Sequence, residues 1–65
     1  MNVAKLRGII SERGMSQKSV AQAIGMSEKT FYLKMKKGVF GTDEVEKMVG
    51  LLDIENPTEI FLSKK

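Results

Sequence analysis

The sequence contains no cysteine, no histidine and no tryptophan. Without cysteine there can be no disulfide staple and no thiolate metal site. Without histidine as well, zinc chemistry of the usual kind and histidine general-base catalysis are excluded by inventory. No apolar run approaches the roughly 20 residues of a membrane span. The chain does not open with a basic stretch, an apolar segment and a cleavage site. These absences lead to the expectation of a cytoplasmic protein with no membrane association. Acids are plentiful, but none is paired with a histidine, a cysteine or a glycine-rich phosphate loop. An enzyme is therefore not expected, and neither is a cofactor, a metal or a small-molecule substrate.

What remains has to be held by apolar packing and by helix ends. Sixty-five residues are room for a single domain, 1–65, and a chain this short buries only about 60% of its unfolded surface. The net charge of +3 is modest, but its distribution is uneven. Residues 16–38 carry five cations (Lys18, Lys29, Lys34, Lys36, Lys37) against Glu28, a net +4. Residues 42–60 carry six anions (Asp43, Glu44, Glu46, Asp53, Glu55, Glu59) against Lys47, a net −5. One third of the chain suits a polyanion and another repels it, a polarity that would orient the molecule on DNA. An ordinary solvated surface with uneven charge is the plainer alternative.

Start and stop signals divide the chain into five helices, about 2–13, 17–24, 28–37, 43–52 and 57–63, an all-α class. Asn2, Ser16, Ser27 and Thr42 are the expected N-caps of the first four, and Gly14, Gly25 and Gly38 end the first three. Asp43 and Glu44 fall in the first turn of the fourth, where the helix dipole favours anions. Asn56-Pro57-Thr58-Glu59 supplies a cap, a proline at the first helical position and a glutamate placed for a capping box. Helices of this length must pack on one another. The only strand-like stretch, Val39-Phe40, is short and lies between glycines.

The spacing of apolar residues predicts one core. It comprises Val3, Leu6, Ile9 and Ile10; Val20, Ala21 and Ile24; Val45, Met48, Val49 and Leu52; and Ile60 and Phe61, with Met15, Met26, Phe31 and Met35 filling between them. Five methionines read as gap-filling in a small core, with a soft binding surface as the alternative. Gly8 and Gly50 fall inside helices, where each costs roughly 1 kcal/mol against alanine. Close helix contact would account for them.

Residues 16–38 form the informative stretch: a short capped helix, a glycine turn and a second capped helix. On a helical wheel the third helix turns Phe31 and Met35 to one side. Lys29, Leu33, Lys36 and Lys37 cluster on the other, with Tyr32 at the edge. Lysines can contact phosphates or guanine edges, and a leucine can meet a thymine methyl. A solvated lysine face with one exposed leucine reads equally well from this helix alone. The flanks add to the first reading. Gln17, next to Lys18, opens the second helix, where free backbone N–H groups and an amide can hold a phosphate. Lys36-Lys37-Gly38 is a second candidate clamp. Two anchors flanking a reading helix are what docking on DNA requires.

The segment from Met15 to Phe31, with Ser16-Gln17, Val20-Ala21, Ile24-Gly25, Ser27 and Phe31, resembles the helix-turn-helix of the lambdoid phage repressor and Cro (XRE) family. Thr30-Phe31-Tyr32, Lys34-Met35-Lys36, Gly38 and Asn56-Pro57…Glu59-Ile60-Phe61 look like its small prophage-encoded members. The resemblance spans nearly the whole chain. It implies a compact five-helix domain that binds double-stranded operator DNA, commonly as a two-fold homodimer, in the nucleoid of a bacterial host. Carried onto matching positions, it makes Gln17, Ser27, Glu28, Lys29 and Leu33 candidates for the base-proximal face. Gln17, Lys18, Tyr32, Lys36, Lys37, Gly38 and Val39 become candidates for backbone contact. One departure stands out. The position three after Phe31 is apolar in the family and is Lys34 here. Either its stem covers apolar surface while the ammonium reaches water, or the helix is rotated and Leu33 shifts with it.

The leading expectation is a transcriptional regulator of Cro or repressor type. The length leaves no room for an effector domain, which favours a Cro-type protein or a DNA-binding fragment of something larger. An antitoxin or excisionase-like accessory factor would keep the fold and change the role. A helical protein-interaction module using Tyr32 and Leu33 is the third possibility. For dimerisation the apolar candidates are the corner from Leu51 to Asn56 and the segment Ile60-Phe61-Leu62.

Overall fold

A computed structural model describes residues 1–62 as five α-helices: α1 Val3–Glu12, α2 Gln17–Ala23, α3 Glu28–Lys37, α4 Thr42–Leu52 and α5 Pro57–Phe61. The expected all-α architecture is what forms, and no strand occurs among the described residues. The last residue of the expected fifth helix, at position 63, lies outside the described residues. No helix among the described residues is long and apolar enough to cross a membrane.

Each of the first three helices starts where a short polar side chain can accept from the first turn. The Asn2 amide oxygen accepts from the Lys5 N–H at 3.1 Å. Ser16 accepts from the Ser19 N–H at 3.1 Å, and the Ser19 hydroxyl accepts from the Ser16 N–H at 2.9 Å, so two free donors are satisfied reciprocally. Ser27 accepts from the Thr30 N–H at 3.2 Å.

One expected start is corrected, and one expected capping box does not form. The cap of α4 is Gly41, with Thr42 already helical. Having no side chain, Gly41 makes only half of a capping box: its N–H donates to Glu44 Oε1 at 2.7 Å. The glutamate at the third helical position thus sets the start one residue earlier than a threonine cap would. At α5, Asn56 makes no side-chain cap bond, and Glu59 completes no capping box. Its carboxylate pairs instead with the Lys5 ammonium on α1. The Asn2 N–H also donates to the Ile60 carbonyl at 2.7 Å. The start of the chain is thereby tied to α5.

The ends of α1 to α4 share one design. After α2, Gly25 takes φ +80°. Its N–H donates to the Gln22 carbonyl at 3.2 Å, and the Met26 N–H donates to Ala21 at 2.9 Å. This is the paired closure that a left-handed residue permits, and it brings the following apolar side chain back over the helix. The same pair of bonds closes α1 at Gly14-Met15 and α3 at Gly38-Val39. The fourth closure has no glycine. Asp53 adopts φ 52°, a conformation that a short polar side chain tolerates, and the Ile54 N–H reaches the Val49 carbonyl at 3.1 Å. Arg13 supports this end: its Nε donates to the Leu52 carbonyl at 2.7 Å and its Nη2 to the Asp53 carbonyl at 3.3 Å. A guanidinium at the negative end of a helix is favourable on both hydrogen-bond and dipole grounds.

These ends aim the apolar faces at a single core of Leu6, Ile10, Val20, Ala21, Ile24, Phe31, Met35, Met48, Leu52, Ile54 and Ile60. Val3, Ile9, Met15, Met26, Val49 and Phe61 pack around it half-buried. Val45, expected inside, is only half-buried and faces a groove. Ile54 and Phe40 were not expected. Phe40 packs on Phe31 with ring centroids 5.3 Å apart and tilted planes, an arrangement aromatic pairs favour. α2 packs chiefly on α3 and also touches α1 and α4, while α1 touches α5. The fully buried Ala21 lets α2 and α3 come close.

Gly8 and Gly50 are not explained by helix contact. Both are exposed, and a Cβ at either would meet nothing within 4 Å. Gly8→Ala and Gly50→Ala are each expected to raise stability by about 0.5–1 kcal/mol, because alanine loses less backbone entropy in a helix. Chemical denaturation of the two single variants checks this. A loss of stability in either would mean that the bare backbone has a packing role in the folded chain.

Candidate nucleic-acid interface

The outward face of α3 is set by which residues its other face buries. Phe31 and Met35 are fully inside. That fixes the rotation of the helix, and Lys29, Leu33, Lys36 and Lys37 all emerge on the surface. Tyr32 is 55% exposed and Leu33 46%, so neither contributes to the core. Glu28, in the first turn, is exposed as well. Ser27 is exposed, but its hydroxyl is already occupied: besides accepting from the Thr30 N–H, it donates to Thr30 Oγ1 at 2.9 Å. What it retains for a ligand is a remaining lone pair, not its proton.

The flanking candidates are held by neighbouring ends. Gln17 is the first residue of α2 and half-buried; Lys18 beside it is exposed. Gly38 closes α3 with φ +73°, and Val39 after it is exposed. Among the described residues no ion pair holds Lys18, Lys29, Lys36 or Lys37.

Lys34 is different: it is half-buried, and its ammonium goes to an acid on the next helix. Lys34 Nζ donates to both carboxylate oxygens of Glu44, at 2.9 and 2.7 Å. Glu44 in turn takes the Gly41 N–H. The pair is half-buried and clasps the end of α3 to the start of α4. Of the five cations between residues 16 and 38, one is therefore spent inside the fold and four are left.

A second surface feature is apolar. Phe40, Val45, Pro57, Phe61 and the exposed Leu62 line a groove of about 310 Å³ between α4 and α5. From the sequence, Ile60-Phe61-Leu62 and the Leu51–Asn56 corner were the apolar candidates. At the corner Leu52 and Ile54 are in the core, which leaves Leu51 as its exposed large apolar side chain. Phe40 and Val45 were not legible as groove residues, since they come from a loop and a helix start distant in sequence from α5. Among the described residues no cluster of acidic side chains converges to hold a metal ion.

Fold and surface define the class: a small all-α domain in which one capped helix carries a lysine-rich outward face. The chain matches, over residues 1–62, the family described as "Protein of unknown function (DUF739)", and it belongs to that family. No curated protein and no solved structure matches it.

The clasp at Glu44 has a consequence in acid. The bond from the Lys34 ammonium, and after it the Gly41 N–H, holds the Glu44 carboxyl below its ordinary value of 4.5. A carboxylate whose folded pKa is depressed adds stability above the unfolded value. That stability is lost as pH falls through the folded value. The stability difference between the native chain and Glu44→Gln should therefore be largest near neutrality and shrink as pH drops below about 4.5. Denaturant midpoints of both proteins across that range check it; a difference that does not vary with pH would contradict the assignment.

Proposed function

We propose that this protein is a sequence-specific DNA-binding transcriptional regulator of the Cro or repressor kind, inserting α3 into the major groove of operator DNA. The observation that carries the reading is the rotation of α3. With Phe31 and Met35 buried, three lysines that no ion pair holds among the described residues surround Leu33 on one exposed face. A helix and its side chains fit the major groove, where lysine can meet guanine edges and leucine a thymine methyl. Lys29, Leu33 and the first turn at Ser27 and Glu28 are the base-reading residues. Gln17 and Lys18 on one flank, and Tyr32, Lys36, Lys37, Gly38 and Val39 on the other, are the backbone contacts. The α2–turn–α3 unit, with its Ser16 and Ser27 caps and left-handed Gly25, has the form of a helix-turn-helix. That agrees with the resemblance to the lambdoid repressor and Cro family.

The acidic stretch from Asp43 to Glu59 supports one orientation on the duplex, because it would be repelled by phosphates. A second reading has one observation behind it. The apolar groove of Phe40, Val45, Phe61 and Leu62 is the kind of surface a protein partner covers, which suits a protein-interaction module or the face through which two copies pair.

Binding to duplex DNA should weaken steeply with salt, with a slope that reports the phosphates neutralised. Lys29→Ala should alter base preference, by about 1–3 kcal/mol at the affected position, whereas Lys37→Ala should weaken all sequences alike. Selection of bound sequences from a random duplex pool, repeated with each variant, separates the two effects. If both variants lose affinity uniformly, α3 does not read bases. Salt-insensitive association, or no DNA binding at low salt, would favour the protein-interaction reading.

A further inference from the structure

We propose that Arg7, on α1, is a further phosphate-binding residue, so that the DNA-facing surface extends from α3 over the groove between α1 and the beginning of α2. The proposal rests on the DNA-binding reading and names a contact that reading does not contain. A groove of about 200 Å³ is lined by Arg7, Ile10, Ser11, Met15, Ser16 and Gln17. Its apolar walls are Ile10 and Met15, and its polar ones are Arg7, Ser11, Ser16 and Gln17.

The chemistry of that lining is one-sided. Every polar side chain in it can donate a hydrogen bond, its single charge is positive, and none of its residues is an acid. The Ser16 hydroxyl is engaged with Ser19, which leaves Arg7, Ser11 and Gln17 as the donors available to a ligand. An oxyanion is the ligand such a set suits. A guanidinium presents its N–H groups in a planar fork that matches two phosphate oxygens, which an ammonium cannot do.

The other cations on and beside α1 have different duties. Lys5 is paired with Glu59. Arg13 holds the carbonyls that end α4 and lies 3.7 Å from Glu12. Arg7 is exposed, and among the described residues no ion pair or hydrogen bond engages its side chain. It is therefore the cation on α1 with its full donor capacity to offer. Gln17 joins this groove to the proposed interface, because it belongs to the groove and also opens α2, the helix packed on α3. When α3 lies in a major groove, the helix before it crosses the phosphate backbone. The side chains beside Gln17 then lie along that backbone.

The test is the salt dependence of duplex binding by the native chain, Arg7→Gln, Arg7→Lys and Lys47→Gln. Lys47 is an exposed cation on α4, outside the proposed surface. Arg7→Gln should reduce the slope of log affinity against log salt by about 0.9, the share of one phosphate. It should weaken selected and random sequences by the same factor, with no change in melting temperature. Arg7→Lys should keep the native slope, and Lys47→Gln should leave slope and affinity unchanged. An Arg7→Gln slope equal to that of the native chain would overturn the inference while the DNA reading stands. A shift in base preference would also overturn it, since Arg7 would then be reading sequence. Absence of duplex binding by the native chain would remove the DNA reading and this inference with it.

Discussion

Helices of 5–11 residues do not persist in water alone, so this fold depends on how their ends are closed. Four times the chain enters a left-handed residue and returns an N–H to the last turn: at Gly14, Gly25, Gly38 and Asp53. Each closure satisfies carbonyls that would otherwise lack partners and reverses the chain within two residues. Three of the four also deliver an apolar side chain, Met15, Met26 or Ile54, to the core or its edge. At the remaining one Val39 stays outside and the next residue, Phe40, packs on Phe31. With no cysteine to form a disulfide, helix termination and core formation are coupled. The direction in which α3 faces is a result of that coupling.

Electrostatics then sorts the surface. Lys5–Glu59 joins α1 to α5, Lys34–Glu44 joins α3 to α4, and Arg13 holds the end of α4. Exposed ion pairs contribute little each; their larger effect here is to remove particular charges from circulation. Of the cations left over, Lys18, Lys29, Lys36 and Lys37 lie on α2 and α3, Arg7 on α1 and Lys47 on α4, while the acids concentrate on α4 and after it. A molecule of 26 × 22 × 19 Å thus carries charge of opposite sign on its basic and acidic stretches.

Much of this was legible in the sequence because it is local. Ser16, Ser27, Gly14, Gly25 and Gly38 announce helix ends through their own conformational chemistry, and the period of Phe31 and Met35 is enough to orient α3. The failures are of another kind. Thr42 as a cap was displaced by Glu44 reaching back to Gly41. Glu59 left its capping box for Lys5, more than fifty residues away. Lys34 looked like a break in the core pattern because its partner, Glu44, lies on the next helix. Ile54 was missed because Asp53 does the work of a glycine; reading an apolar residue after every stop, as at Met15 and Met26, would have found it. Arg7 was passed over because a groove between two helices has no signature in either helix alone. For the α3 face, the burial pattern was legible from the sequence, whereas the pairing of one of its lysines was not.

The clasp between Lys34 and Glu44 also bears on how such a surface changes over time. Counted by composition, the stretch from residue 16 to 38 offers five positive charges; counted by what is accessible to another molecule, it offers four. The difference is held by a residue on another helix. Loss of the acid at position 44 would return a lysine to the surface pool without altering any residue of α3. The charge presented by that helix is thus subject to variation outside it, and a drifting lineage can retune its attraction to polyanions while the residues in contact stay the same.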